Sequence, residues 1–271
     1  MSKPQIHFAH ANGVPSACYG KLFRALESDF EIKTLPVMGT DPRYPIRDNW
    51  HELTDQVADS IREKCDGPVI GMGHSMGGLC TFFAAHRYPE LFRAVVIMDP
   101  PVINGVGAAP FALMKWLGQA DRITPAGKSL GRRDHWPSRD DVRASLGRKK
   151  FFQAFDPECF EDYLNYALTD VPDGVRLTVP VQAEVDIFRT TPTDAWRYRS
   201  ALKVPGVFLA GAQSEFVKAG FGTRMARHHH LDYRLVEGGH MFPLENPGQT
   251  EAAIRAGLAP LLAAPAAGRK S

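Results

Sequence analysis

Short apolar runs bounded by turn formers recur along the chain at residues 5–9, 30–37, 68–73, 94–98, 206–210 and 233–236. Stretches of helical spacing lie between them. Leu53, Val57 and Ile61 repeat every four residues after Trp50, which predicts a helix over 49–64 with one buried face. Leu79, Phe82 and Phe83 begin a second such face that ends before Tyr88-Pro89. Ile254, Leu258, Leu261 and Leu262 mark a third after Asn246-Pro247, where proline is permitted in the first turn. Strand and helix in alternation predict an α/β fold, a mostly or wholly parallel sheet covered by helices on both faces.

The alternation breaks between Pro100-Pro101 and about Pro205, in a stretch that reads as helices and loops. Phe111, Met114, Trp116 and Leu117 predict one helix. Phe151, Phe152, Phe155, Phe160, Tyr163, Leu164 and Tyr166 predict others, punctuated by Pro125, Pro137, Pro157 and Pro172. The expected organisation is a core over 1–100 and 204–262, an inserted helical cap over 101–203 and a frayed tail over 263–271. Singly, these aromatics glue the insertion to the sheet; together they are candidates for the lining of an apolar pocket.

Composition removes several classes of function. With 44% hydrophobic and 23% charged residues, the 271-residue chain is neither disordered nor fibrous. Thirty-two basic against 30 acidic residues leave a net charge of +2, too weak a field to argue for nucleic acid or a membrane, so a small-molecule partner is expected. Cys18, Cys65, Cys80 and Cys159 form neither a C-x-x-C pair nor a disulfide framework. The first residues lack a signal-peptide pattern, and no apolar run approaches the roughly eighteen residues of a membrane span, so a cytoplasmic location is the expectation. His228-His229-His230 cannot all face one ion, and no Walker or dinucleotide glycine pattern occurs. No metal and no cofactor are therefore expected.

The sharpest feature is Gly73-His74-Ser75-Met76-Gly77-Gly78, set directly after the run 68–72 and directly before a helical stretch. This is G-x-S-x-G in the context its chemistry needs: a nucleophilic serine on a tight strand-to-helix turn, with glycines where side chains would crowd the backbone. Serine requires a base held by a carboxylate. His240, in Glu237-Gly238-Gly239-His240-Met241-Phe242-Pro243, follows the last predicted strand and is the candidate base. Two carboxylates compete to orient it: Glu215, after the run 206–210, is the first choice, and Asp99, after the run 94–98, is the alternative. Oxyanion donors are expected from the Met76 N–H and from the Asn12 N–H in His10-Ala11-Asn12-Gly13.

The order Ser75, Glu215, His240, with the elbow and the His-x-Asn-Gly loop, resembles the α/β-hydrolase superfamily over nearly the whole chain. That resemblance implies a helical cap where the insertion lies and a histidine segment like 238–247. The chain departs from the pattern in three places. It begins at what resembles the family's third strand, so the leading hairpin is expected to be missing; Ala11 stands where glycine is common; and the expected acid is Glu rather than Asp. The implied activity is cofactor-independent cleavage of a small or medium apolar carboxylic ester through an acyl-enzyme. Thioester, lactone and C–C bond hydrolysis remain open on the same residues, as does a slow-turnover ligand receptor.

Overall fold

The computed structural model describes residues 3–103 and 108–263. In chain order the strands are β1 (Gln5–Ala9), β2 (Glu31–Thr34), β3 (Val69–His74), β4 (Phe92–Met98), β5 (His135–Trp136), β6 (Leu168–Val171), β7 (Gly174–Leu177), β8 (Gly206–Gly211) and β9 (Asp232–Val236). The helices used below are α1 (Gly20–Leu26), α2 (His51–Lys64), α3 (Met76–Arg87), α4 (Ala108–Trp116), α5 (Ala120–Ile123), α6 (Ala126–Ser129), α7 (Arg139–Leu146), α8 (Lys150–Gln153) and α9 (Pro157–Tyr166). After these come α10 (Val181–Arg189), α11 (Glu215–Lys218), α12 (Phe221–His228), α13 (Phe242–Glu245) and α14 (Pro247–Ala263).

Each of the six apolar runs becomes a strand of one sheet, ordered β2-β1-β3-β4-β8-β9 and parallel at every pairing. The reason lies in burial on both faces. Ile6, Phe8, Ile70, Met72 and Val96 join a core with Leu22 and Leu26 of α1 and Ile254 and Leu258 of α14. Ala9, Val69, Val95, Ile97 and Phe208 point the other way, to Leu53 and Val57 of α2, Phe83 of α3 and Met225 of α12. Central strands with no wet face read as unbroken apolar runs. β2 is shorter than the run 30–37: the Leu35 N–H still reaches Phe8 O at 2.9 Å, but Pro36 has no N–H to continue the ladder.

The connection from β4 to β8 carries the insertion. It holds α4 to α10 and, unlike the helices and loops expected there, a three-stranded antiparallel sheet ordered β5-β7-β6. Its strands are only two to four residues long, too short to show alternation. Trp136, Val142, Phe152, Phe155 and Tyr163 are buried in the same core as Phe8 and Tyr19, so this part of the insertion is continuous with the sheet's own packing. Phe111, Met114, Trp116 and Leu117 are not: α4 buries none of its residues, and Trp116 is 81% exposed. Apart from Ala263, the expected tail lies outside the described residues. Among the described residues no helix is long and apolar enough to cross a membrane.

Candidate active site

The site lies at the carboxyl edge of the sheet, where the strand order reverses between β1 and β3 and the loops after these strands diverge. At the end of β3 the chain turns sharply into α3. Ser75 has φ 53° and ψ −118°, a strained conformation for a residue with a side chain. A methyl group on Gly73 would come within 2.4 Å of Gly77 O, and one on Gly77 within 2.2 Å of Ala9 O, so the turn closes only with glycine at both places. The Ser75 N–H donates to Met98 O at 2.8 Å and the Gly77 N–H to His10 O at 3.1 Å, tying the elbow to β4 and to the loop after β1.

His240 lies in the loop between β9 and α13. Glu245 Oε2 closes that loop by accepting the Gly239 N–H at 2.6 Å. The ring stands between two groups: Nε2 is 2.9 Å from Ser75 Oγ and Nδ1 is 2.6 Å from Asp99 Oδ2. A carboxylate only accepts, so Nδ1 carries the proton and Nε2 accepts from the serine hydroxyl. Asp99 is 1% exposed and also has positive φ, at 42°. A second donor, Ser214 Oγ, reaches its Oδ2 at 2.6 Å. Phe216 sets its ring edge-on to His240 at 5.1 Å between centroids.

The carboxylate that meets His240 is therefore Asp99, the alternative acid, and not Glu215. Glu215 begins α11 and is exposed. The physical reason is a displacement by one residue. Ser214 turns inward to Asp99 while also accepting the Phe216 N–H at 3.3 Å, and its neighbour turns out. The loop after β8 supplies a hydroxyl, and the acid comes from the end of β4.

Two buried imidazoles that the sequence reading did not use hold this edge together. His74, fully buried, lies 2.8 Å from His240 O through Nε2 and 2.7 Å from Tyr19 Oη through Nδ1. The carbonyl can only accept, so Nε2 carries the proton, Tyr19 donates to Nδ1, and the phenol oxygen accepts the Ala11 N–H at 3.4 Å. One neutral chain thus joins the loop after β1, the elbow and the His240 loop. Burial, with His240 nearby, lowers the His74 pKa to about 3. His10, lowered by burial to about 4, accepts the Met38 N–H at 2.7 Å and places its other nitrogen 2.7 Å from Ala11 O. The position before the elbow serine and the polar side chains Tyr19 and Ser214 in buried surroundings were the available signals.

Of the expected oxyanion donors, Met76 begins α3, where the first-turn N–H groups have no partner within the helix. The Asn12 side chain turns to the insertion, its Nδ2 donating to Glu184 O at 3.0 Å. Of the three consecutive histidines, His228 and His229 set their rings edge to face, 4.7 Å apart between centroids. His228 Nε2 lies 2.6 Å from Arg199 O, and His229 packs against Phe82 and His86. A cavity of about 840 Å³ lies along α3 and α12, lined by Leu79, Phe82, Phe83, Val102 and Met225 among others; neither Ser75, Asp99 nor His240 lines it.

A strand-elbow-helix serine, an imidazole and a buried carboxylate bonded in series at the edge of a parallel sheet define the hydrolase class of α/β proteins. The profile of the Alpha/beta hydrolase family matches residues 8–253, and the chain belongs to that family. It is 30% identical over 113 residues to the type I acyl-CoA thioesterase mpaH of Penicillium roqueforti, a match that takes in 41% of this chain and only 24% of that protein. It is 24% identical over 206 residues to the lipase LipV of Mycobacterium tuberculosis, covering 72% of this chain and 70% of that one. The fold superposes on E-2-(acetamidomethylene)succinate hydrolase with a TM-score of 0.75 at 22% identity, over 95% of this chain and 92% of the other.

Proposed function

We propose that the protein is a serine hydrolase that cleaves a carboxylic ester of a small or medium apolar substrate through an acyl-enzyme. The observation that carries this reading is the unbroken series from Ser75 Oγ to His240 Nε2 at 2.9 Å and from His240 Nδ1 to Asp99 Oδ2 at 2.6 Å. His240 takes the hydroxyl proton as Ser75 Oγ attacks the carbonyl carbon, and the tetrahedral oxyanion is held by the Asn12 and Met76 N–H groups. Collapse breaks the ester bond and returns the proton to the leaving alkoxide. Water, deprotonated by the same imidazole, then attacks the acyl-enzyme, releasing the acid and restoring Ser75. Asp99 keeps the imidazole in the Nδ1–H form and stabilises its cation, with Ser214 fixing the carboxylate.

Thioester cleavage is the second reading, favoured by the acyl-CoA thioesterase relative. The same steps apply, with a thiolate leaving group in place of the alkoxide. A panel of p-nitrophenyl esters, acyl thioesters and lactones, assayed with the parent and Ser75→Ala, separates these readings. Continued turnover by the parent and none by Ser75→Ala, with a fluorophosphonate labelling Ser75 alone, is the expected result. One p-nitrophenol burst per chain and then silence is the signature of a ligand receptor, and parental rates in Ser75→Ala remove the covalent mechanism.

A further inference from the structure

Glu184 reaches from α10 of the insertion to the loop after β1, and no step written above uses it. It is buried, at 5% exposure. Its backbone carbonyl accepts the Asn12 side-chain N–H at 3.0 Å, and its Oε2 lies so close over Gly13 that a methyl group there would come within 2.7 Å. One residue of the insertion therefore touches two successive residues of the loop that offers the Asn12 N–H to the oxyanion. Glu184 is itself held from within the insertion: Ser129 Oγ of α6 donates to Oε1 at 2.7 Å, and Arg132 Nη2 stands 2.9 Å from Oε2. The buried Tyr163 phenol, pushed up by desolvation, is a further titratable group beside this cluster and bonds to the Arg132 guanidinium, with the Cys18 thiol also nearby.

The charges matter as much as the contacts. A buried carboxylate without a partner is costly. Placed against a loop that must stabilise developing negative charge, it also opposes the reaction itself. Arg132 cancels that charge at the point where it faces Gly13.

We propose that Glu184 and Arg132 are positioning residues for the oxyanion loop, a neutralised clamp through which the insertion helps to set the Asn12 donor. The proposal rests on the serine-hydrolase reading. Arg132→Met strips the compensation and leaves a negative charge beside the loop, whereas Arg132→Met/Glu184→Gln leaves no charge at all.

The test measures kcat and KM for a p-nitrophenyl ester in the parent, these two variants, Arg132→Lys and Ser75→Ala, with thermal unfolding of each. Arg132→Met is expected to lose about 100-fold in kcat with KM within about threefold, because an interaction made in the transition state is lost, and the double variant to regain about tenfold. Arg132→Lys, which keeps the cation and serves if Arg132→Met does not fold, is expected between the parent and Arg132→Met. Parental kcat in Arg132→Met, a loss confined to KM, a double variant no faster than the single, or Arg132→Lys no faster than Arg132→Met overturns the clamp. If Ser75→Ala is inert while Arg132→Met is parental, only the clamp falls; if Ser75→Ala turns over normally, the hydrolase reading falls with it.

Discussion

The carboxyl edge of the sheet and the first helix of the insertion are built on opposite terms. At the edge, Ser75, His240, Asp99, Ser214, His74 and Tyr19 each have a side-chain partner within 3 Å. In α4 every residue but Lys115 is apolar, yet none is buried, and Leu113 and Trp116 are 53% and 81% exposed. A polar tie to the rest is Lys115, whose ammonium bonds to Thr191 O and Asp48, while Ala108, Ala109 and Ala112 form part of the cavity wall. The equally long α10 is far more polar and is pinned at both ends. Glu184 meets Asn12 at one end, and Trp50 Nε1 reaches Ile187 O at 3.2 Å and Thr190 Oγ1 at 3.1 Å at the other. The side chain of Ile187, 1% exposed, fills the space beside Gly39 and Ile46. Apolar content alone does not place a helix; a complementary surface and bonded polar anchors do.

The contrast is broken most sharply at the edge. Asp99→Asn is expected to lower kcat by about three to four orders of magnitude, while Glu215→Gln retains parental turnover; the reverse result in steady-state ester kinetics returns the acid to the loop after β8. Next in size is the anchoring of α10: Ile187→Ala is expected to cost about 3 kcal/mol in chemical denaturation, through lost burial and the cavity left behind. A cost near zero places α10 on the same footing as α4.

A smaller effect follows from the buried imidazoles. His7 and His74 titrate at about 3 and His10 at about 4 in the folded chain, each lowered chiefly by burial from 6.5. The unfolded chain therefore binds these protons first. Their contribution to stability is complete above about pH 6.5 and is lost as the pH falls toward the folded values, by about 1 kcal/mol per histidine at about pH 5.5. Melting curves from pH 8 to 5 check this, and His74→Gln is expected to flatten the dependence by its share. The smallest effect is Trp116→Ala, expected within about 0.5 kcal/mol of the parent in the same denaturation experiment. A large loss there shows that the Trp116 ring is covered.

Much of the core was legible because its strands are buried on both faces and its helices carry one apolar stripe, so the runs around Phe8, Met72, Val96 and Phe208 read without tertiary knowledge. Ser75 was legible for a local reason: the elbow confines its glycines within a few residues. The acid was misread, with Glu215 chosen ahead of Asp99, because both follow strands that end at the same edge. The choice depends on where His240 lands between β4 and β8 and on the direction of a single side chain at Ser214. The small antiparallel sheet of the insertion escaped for want of length. The fate of Phe111, Met114 and Trp116 escaped because an apolar helix looks alike in sequence whether or not something covers it.

Asp99 immediately precedes Pro100, so the bonded Ser75, His240 and Asp99 are all encoded outside the intervening hundred or so residues. On the proposed function, exchanging that stretch for one from another member of the family would leave these three groups in place and change only what reaches them, a natural route to new substrate range by transplantation. The graft carries one condition: its incoming helix must again present a carbonyl to Asn12 and bring no uncompensated charge above Gly13.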